Sequence, residues 1–120
     1  MKILLVDDEQ KFVNMLAKRM ALRGIEADVA YTGEEAIKKA EKTIYDVAVL
    51  DIKMPGISGI QLKEKLSPLH ANLKFIFVTG HGAIEKSEDE DSGAEKDIYI
   101  SKPLNIEFLI ETIEDLIQAG

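Results

Sequence analysis

Residues 47–59 read V-A-V-L-D-I-K-M-P-G-I-S-G, and this stretch contains the pattern that decides the fold. Its first four residues are wholly apolar, which is typical of a strand that is covered by helices on both faces. Asp51 ends the apolar run, and a loop that contains proline and glycine follows it. The stretch therefore predicts a buried parallel strand with an acid at its carboxyl end.

Apolar runs of similar length lie on both sides of this stretch, and helical patterns separate them. The runs are residues 3–6, 27–30, 75–78 and 98–100. The helical stripes are Phe12, Val13, Leu16 and Met20; Ala36, Ile37 and Ala40; Leu62 and Leu66; and Ile106, Leu109, Ile110, Ile113, Leu116 and Ile117. Strand and helix thus alternate along the chain, which predicts an α/β sandwich with a parallel sheet. No linker or repeat divides the sequence, so we expect residues 1–120 to form one domain.

Several polar residues and one glycine mark the expected helix ends. Thr32 and Asn105 precede two of the helical patterns and are suitable N-caps, because their side chains can accept a free backbone N–H. Gly24 follows the first helical pattern and is a typical stop.

Composition excludes several classes of function. The chain has 120 residues with 15 Lys and Arg against 22 Asp and Glu, a net charge of −7. This balance argues against a nucleic-acid surface, which needs clustered cations. The absence of cysteine excludes disulfides, thiolate zinc sites and a cysteine nucleophile. The apolar run at residues 3–6 is too short for a signal or membrane segment, so we expect a cytoplasmic protein without membrane association.

Chemically useful side chains follow four of the five predicted strands. Asp7 and Asp8 follow the first, Asp51 the third, Thr79 the fourth and Lys102 the fifth. Each alone is common in turns, but parallel strands end at one edge of a sheet, so together they predict one site. Carboxylates without His or Cys favour Mg²⁺, and a nearby ammonium and hydroxyl suit phosphoryl transfer.

At these positions the sequence resembles a known family. Asp7-Asp8, the segment D-I-K-M-P-G-I-S-G at residues 51–59, Thr79-Gly80 and Lys102-Pro103 look like the receiver domain of bacterial two-component response regulators. The resemblance covers essentially the whole chain. It implies a flavodoxin-like three-layer sandwich, with a five-stranded parallel sheet in the order 2-1-3-4-5 and five helices.

The resemblance also implies roles for the residues at the strand ends. Asp51 would be the phospho-acceptor, taking a phosphoryl group from a histidine kinase or a phosphotransfer protein. Asp8, Asp51 and the backbone carbonyl of Lys53 would bind Mg²⁺, and Asp7 would hold a metal-bound water. Lys102 would bind the phosphoryl group.

Further implied roles concern switching and output. Thr79 and Tyr99 would form a switch pair that changes a partner-binding surface; the alternative for Tyr99 is an ordinary half-buried strand aromatic. Lys53 and His81 stand at positions that can tune loss of the phosphoryl group; the alternative is that either side chain simply faces solvent. The resemblance implies a signalling domain that catalyses only its own phosphorylation and dephosphorylation, as a monomer or a phosphorylation-dependent dimer. It does not specify the downstream effector.

One segment departs from the family pattern. Residues 85–97 contain seven acids and two lysines, a net charge of −5, and residues 85–93 have no apolar side chain. Such a segment has little to bury and repels itself. We therefore expect the fourth helix of the family pattern to be short, irregular or mobile in this chain.

Two other functions compete with the phospho-accepting one. A phosphatase of the haloacid-dehalogenase type also forms an aspartyl-phosphate, but that class has D-x-D after its first strand, whereas this chain has Asp7 and Asp8 adjacent. A pseudo-receiver would keep the fold as an interaction module without phosphorylation. The complete set of Asp8, Asp51, Thr79 and Lys102 argues against it.

Overall fold

A parallel sheet forms the centre of the computed structural model, which describes residues 2–80, 98–102 and 104–119. The strands are β1 (Lys2–Val6), β2 (Glu26–Ala30), β3 (Val47–Asp51), β4 (Lys74–Thr79) and β5 (Ile98–Ser101). All neighbouring pairs are parallel, in the order β2-β1-β3-β4-β5. The predicted strands and their order are thus confirmed.

Four helices are described in addition to the strands. They are α1 (Gln10–Leu22), α2 (Gly33–Lys42), α3 (Gly59–Leu66) and α4 (Ile106–Ala119). The helix predicted to be short or irregular, between β4 and β5, lies outside the described residues, as does the acidic segment. Within the part of the chain that the structure describes, no helix has the length and apolar composition needed to cross a bilayer.

The two faces of the sheet pack against different helices because successive strand residues point to opposite sides. On one face, Ile3, Leu5, Val47, Val49, Ile76 and Val78 pack with buried residues of α1 and α4. On the other face, Leu4, Val6, Ala48, Leu50, Phe75 and Phe77 pack with buried residues of α2 and α3. These clusters form the three-layer sandwich that was predicted. They leave both faces of β1 and β3 without water, which explains the continuous apolar sequence of these strands.

The expected helix ends are present. The hydroxyl of Thr32 accepts the backbone N–H of Glu35 at 3.1 Å, and the amide oxygen of Asn105 accepts that of Phe108 at 3.0 Å. Gly24 adopts a φ of +79°, the left-handed conformation in which glycine is favoured after a helix. Local capping chemistry therefore sets where α1, α2 and α4 begin or end.

Candidate functional site

Backbone hydrogen bonds between neighbouring strands continue for one residue past the ends of β3 and β5. They fix the positions of Ile52 and Lys102. The N–H of Ile52 donates to the carbonyl of Val78 at 3.0 Å, and the N–H of Lys102 donates to the carbonyl of Thr79 at 2.8 Å. The carboxyl ends of β3, β4 and β5 are thereby held side by side. The side chains at this edge are therefore attached to backbone that is held by hydrogen bonds.

Three carboxylates meet at this edge. Asp7, Asp8 and Asp51 each offer an oxygen atom, and these atoms lie within 4.8 Å of one another. Asp7 is 4% exposed and Asp51 is 6% exposed, whereas Asp8 is exposed to solvent. The sequence predicted that these acids lie at one edge of the sheet, and the structure does bring them together. Two of the three are buried and one is exposed.

Burial and mutual repulsion make this cluster electrostatically unfavourable when all three acids are charged. Burial, followed by the charge of Asp7, raises the pKa of Asp51 to about 6; Lys102 and the backbone N–H of Lys53 oppose this shift. Burial also raises the pKa of Asp7, although the backbone N–H of Glu9 and the ammonium of Lys102 act against it. The cluster therefore favours the binding of a cation.

The donor set fits Mg²⁺. The three acids supply hard oxygen atoms, which Mg²⁺ prefers, and two of them are buried carboxylates with raised pKa values. The exposed side chain of Asp8 leaves one side of the cluster open to water and to a ligand. Mg²⁺ usually keeps several waters when bound, and this openness suits it.

Lys102 lies beside the acid cluster. Its Nζ is 2.9 Å from Oε1 of Glu9, 3.3 Å from Oδ2 of Asp7 and 5.0 Å from the centre of the Phe12 ring. Burial acts to lower the pKa of Lys102, but the hydrogen bond to Glu9 and the charges of Asp7 and Asp51 outweigh it, so the pKa is raised. The ammonium is therefore held in its charged form.

Glu9 and Phe12 were not among the residues predicted from the sequence to form this site. Glu9 looks like an ordinary solvated acid before a helix, and Phe12 looks like a member of the apolar stripe of α1. The only local signal was the position of Glu9 directly after the Asp pair. Their partner Lys102 lies 93 residues from Glu9 in sequence, so only the fold reveals the contact.

Thr79 and Tyr99 lie on neighbouring strands near the same edge. Thr79 is half-buried at the end of β4, and Tyr99 pairs with Phe77, two residues earlier on that strand. Residues two apart on a strand face the same side, so both side chains lie on the α3 side of the sheet. The Tyr99 ring is 46% exposed and stacks on Phe77, with the ring centres 5.2 Å apart.

The loop after Asp51 is held close to the sheet. The N–H of Gly59 donates to the carbonyl of Ile52 at 3.0 Å. A Cβ atom on Gly59 would lie 2.5 Å from the carbonyl oxygen of Asp51, so only glycine fits this approach. Lys53 is exposed on the same loop, and His81 lies outside the described residues.

His70 joins two elements of the fold. It is half-buried, and its Nε2 lies 2.7 Å from the carbonyl oxygen of Ala40. This contact joins the connection after α3 to α2. The two residues lie 30 positions apart in sequence, so only the fold reveals their contact.

The model of the response regulator receiver domain family matches residues 3–114 of the chain. The chain therefore belongs to the receiver domain family of response regulators, proteins of two-component systems that are phosphorylated on aspartate. This agrees with the fold and with the three acids at the strand ends.

Two similar proteins show how much of the chain the similarity covers. The transcriptional regulatory protein TrcR of Mycobacterium tuberculosis is 30% identical over 118 residues, which are 98% of this chain and 45% of TrcR. The chain thus spans about half the length of the curated relatives it matches. The response regulator TrrA of Thermotoga maritima, solved in complex with Mg(2+)-BeF, is 36% identical with a TM-score of 0.79, over 96% of this chain and 97% of that chain.

A further solved structure contains a kinase. A chain from the complex of the histidine kinase ThkA with the response regulator TrrA is 34% identical, with a TM-score of 0.80 and 97% of each chain covered. Similarity at this level extends along nearly the whole chain rather than to the site alone.

Proposed function

We propose that residues 1–120 form one receiver domain that accepts a phosphoryl group on Asp51. The observation that carries the proposal is the position of Asp51: a buried carboxylate at the end of a central strand, with oxygen atoms of two other acids within 4.8 Å. Asp7 and Asp8 occupy the other two corners of the cluster. Asp51 is the one of the three that begins a loop containing glycine and proline, which gives a donor access to it.

In this reaction the phosphoryl group passes from a nitrogen or oxygen atom of the donor to a carboxylate oxygen of Asp51. A carboxylate oxygen of Asp51 bonds to phosphorus while the bond from phosphorus to the donor breaks, and the donor keeps that electron pair. With a pKa of about 6, Asp51 is mostly ionised near neutral pH and can attack. Lys102 then contributes positive charge and Thr79 a hydroxyl donor to the phosphoryl oxygens.

The metal site uses residues of the same edge. Asp8, Asp51 and the backbone carbonyl of Lys53 would hold Mg²⁺, and Asp7 would hold one of its waters. Mg²⁺ bound there supplies positive charge that offsets repulsion between the acids and the incoming phosphoryl group. Asp7 and Asp51, which are both nearly fully buried, are held in position by the surrounding strands.

Switching would begin at Thr79. A phosphoryl group on Asp51 offers new acceptor oxygens, and movement of the Thr79 hydroxyl toward them would change the space beside Tyr99. The half-exposed Tyr99 ring would then turn and alter the surface that a partner contacts. Lys53 and His81 would tune the rate at which the phosphoryl group is lost.

The proposed donor is a histidine kinase or a phosphotransfer protein, and the complex of ThkA with TrrA supports this choice. We propose a cytoplasmic domain that works as a monomer or a phosphorylation-dependent dimer and catalyses only its own phosphorylation and dephosphorylation. Its effector is a downstream protein or domain.

Intact mass after incubation with Mg²⁺ and a small acyl phosphate tests the proposal. We expect the wild type to gain one phosphoryl group and Asp51→Asn to gain none. Asp46→Asn is the matched control, since it changes an acid at the opposite end of β3, and it should gain the group as the wild type does. Absence of any gain in the wild type, or an unchanged gain in Asp51→Asn, would refute the assignment.

A further inference from the structure

The side chain of Glu9 makes an unusual contact for an acid next to a helix. It is the N-cap residue of α1, yet its side chain makes no capping hydrogen bond. N-cap side chains normally accept a backbone N–H of the first turn, and glutamate is not among the preferred residues. Here the carboxylate turns to Lys102 instead, and its Oε1 is 2.9 Å from the ammonium. The side chain of Glu9 thus has a partner in the site rather than in the helix.

The ammonium of Lys102 is confined by this contact. It has three N–H donors, of which one points to Glu9 and one to Asp7, and the Phe12 ring lies alongside at 5.0 Å. The backbone of Lys102 is fixed by its hydrogen bond to Thr79. Within the described residues, both carboxylates that Lys102 contacts belong to the segment between β1 and α1. Among the described residues, the ammonium of Lys102 makes no hydrogen bond or ion pair with Asp51.

We propose that Glu9 is a positioning residue that holds the Lys102 ammonium on the Asp7 side of the site and competes for it with a phosphoryl group on Asp51. The proposal rests on the proposed function of Asp51 as phospho-acceptor. Within the described residues the ammonium contacts Glu9 and Asp7 but not Asp51, so it would turn toward Asp51 to bond a phosphoryl oxygen there and would leave the Glu9 carboxylate. Phosphorylation would therefore break the ion pair of Lys102 with Glu9.

The size of the effect follows from solvent exposure. The Glu9 side chain is 63% exposed, and ion pairs with an exposed partner are weak because water and salt screen them. Removal of the Glu9 charge should thus raise the rate of phosphorylation by roughly two- to fivefold. Glu9→Gln is the suitable change, since it keeps the shape of the side chain and removes its charge.

The first experiment measures the rate of phosphoryl gain from a small acyl phosphate at saturating Mg²⁺. Saturation matters because the loss of an acid beside the cluster also weakens attraction of the metal. We compare the wild type, Glu9→Gln, Lys102→Ala and the double variant. Glu64→Gln, which neutralises an exposed acid of α3, is the matched control for a change of one charge.

The expected result is a faster Glu9→Gln protein in the wild-type background and no effect of the same change when Lys102 is absent. A double-mutant cycle of this kind isolates the coupling between the two residues. An unchanged or slower Glu9→Gln protein would overturn the proposal. So would an equal acceleration without Lys102, because Glu9 would then act on the site by its charge alone.

A second measurement needs neither metal nor phosphoryl group. Limited acetylation of the metal-free protein, read by peptide mass, reports how readily Lys102 reacts. Release from Glu9 should make Lys102 react roughly two- to fivefold faster in Glu9→Gln, with no change in Glu64→Gln. Equal labelling in all three proteins would show that Glu9 does not hold Lys102. This result would stand even if Asp51 were not the phospho-acceptor, so the two proposals fail separately.

Discussion

The two ends of β3 each carry an aspartate, and the two residues have opposite surroundings. Asp46 precedes the strand and is exposed, and its carboxylate accepts the backbone N–H of Lys2 at 2.8 Å. Its own backbone N–H donates to the carbonyl of Lys2, and its carbonyl accepts the N–H of Lys74. Asp51 ends the same strand, is buried, and has a raised pKa.

The difference shows how one residue type serves two purposes in one strand. At the amino end, the carboxylate keeps its contact with water and adds a hydrogen bond between strands, which stabilises the sheet. At the carboxyl end, the carboxylate is removed from water and placed near two other acids, which destabilises the metal-free fold. Strain of this kind is common at functional sites, where groups are held for chemistry rather than for stability.

The largest expected effect concerns the dependence of stability on pH in the metal-free protein. Burial raises the pKa of Asp51 from an ordinary 3.8 to about 6, so between these values the folded state binds more protons than the unfolded state. The free energy of unfolding should therefore fall as pH rises through this range, by on the order of 2–3 kcal/mol from Asp51. Asp7, whose pKa is also raised, acts in the same direction.

Urea unfolding followed by circular dichroism at a series of pH values checks this prediction. Asp51→Asn is the control, and its stability should fall less over the same range, since the titrating group is gone. Parallel pH curves for the wild type and Asp51→Asn would show that Asp51 is no more strained than an exposed acid, and the contrast between the ends of β3 would disappear.

A smaller effect is expected at the other end of the strand. Asp46→Ala removes the acceptor of the Lys2 N–H and should lower the free energy of unfolding by about 1 kcal/mol. The phosphoryl gain at Asp51 should be unchanged, because Asp46 lies at the opposite end of β3. Urea unfolding and intact mass on the same sample measure both quantities. A loss of phosphorylation with stability retained would contradict the division of roles.

Most of the fold could be predicted from local sequence signals, such as apolar runs and residues that cap helices. The apolar runs predicted all five strands, and those of β1, β3 and β4 are continuous because both faces of these strands are buried. Thr32 and Asn105 marked helix starts because capping is local. The acids at the strand ends could be assembled because parallel strands end at one edge, and the resemblance to receivers supplied the strand order.

Contacts between distant segments could not be predicted in this way. The ion pair of Glu9 with Lys102 and the contact of His70 with Ala40 join residues 93 and 30 positions apart. Nothing in the local sequence around Glu9 or His70 indicates a partner. The unequal burial of Asp7 and Asp8, which are adjacent in sequence, likewise depends on which side of the sheet edge each side chain faces.

The central claim is that Asp51 is kept in an unfavourable place because a cation and a phosphoryl group are bound there. The most direct test is the free energy of unfolding of the wild type and Asp51→Asn at about pH 7, first with a chelator and then with Mg²⁺ far above its Kd. With the chelator, Asp51→Asn should be the more stable protein, since a strained charge is removed. At about a hundred times Kd, Mg²⁺ should add about 2.7 kcal/mol to the free energy of unfolding of the wild type and much less to that of Asp51→Asn. The difference in stability between the two proteins should therefore shrink or change sign. A wild type that is already the more stable protein with the chelator, and that gains nothing from Mg²⁺, would contradict the account.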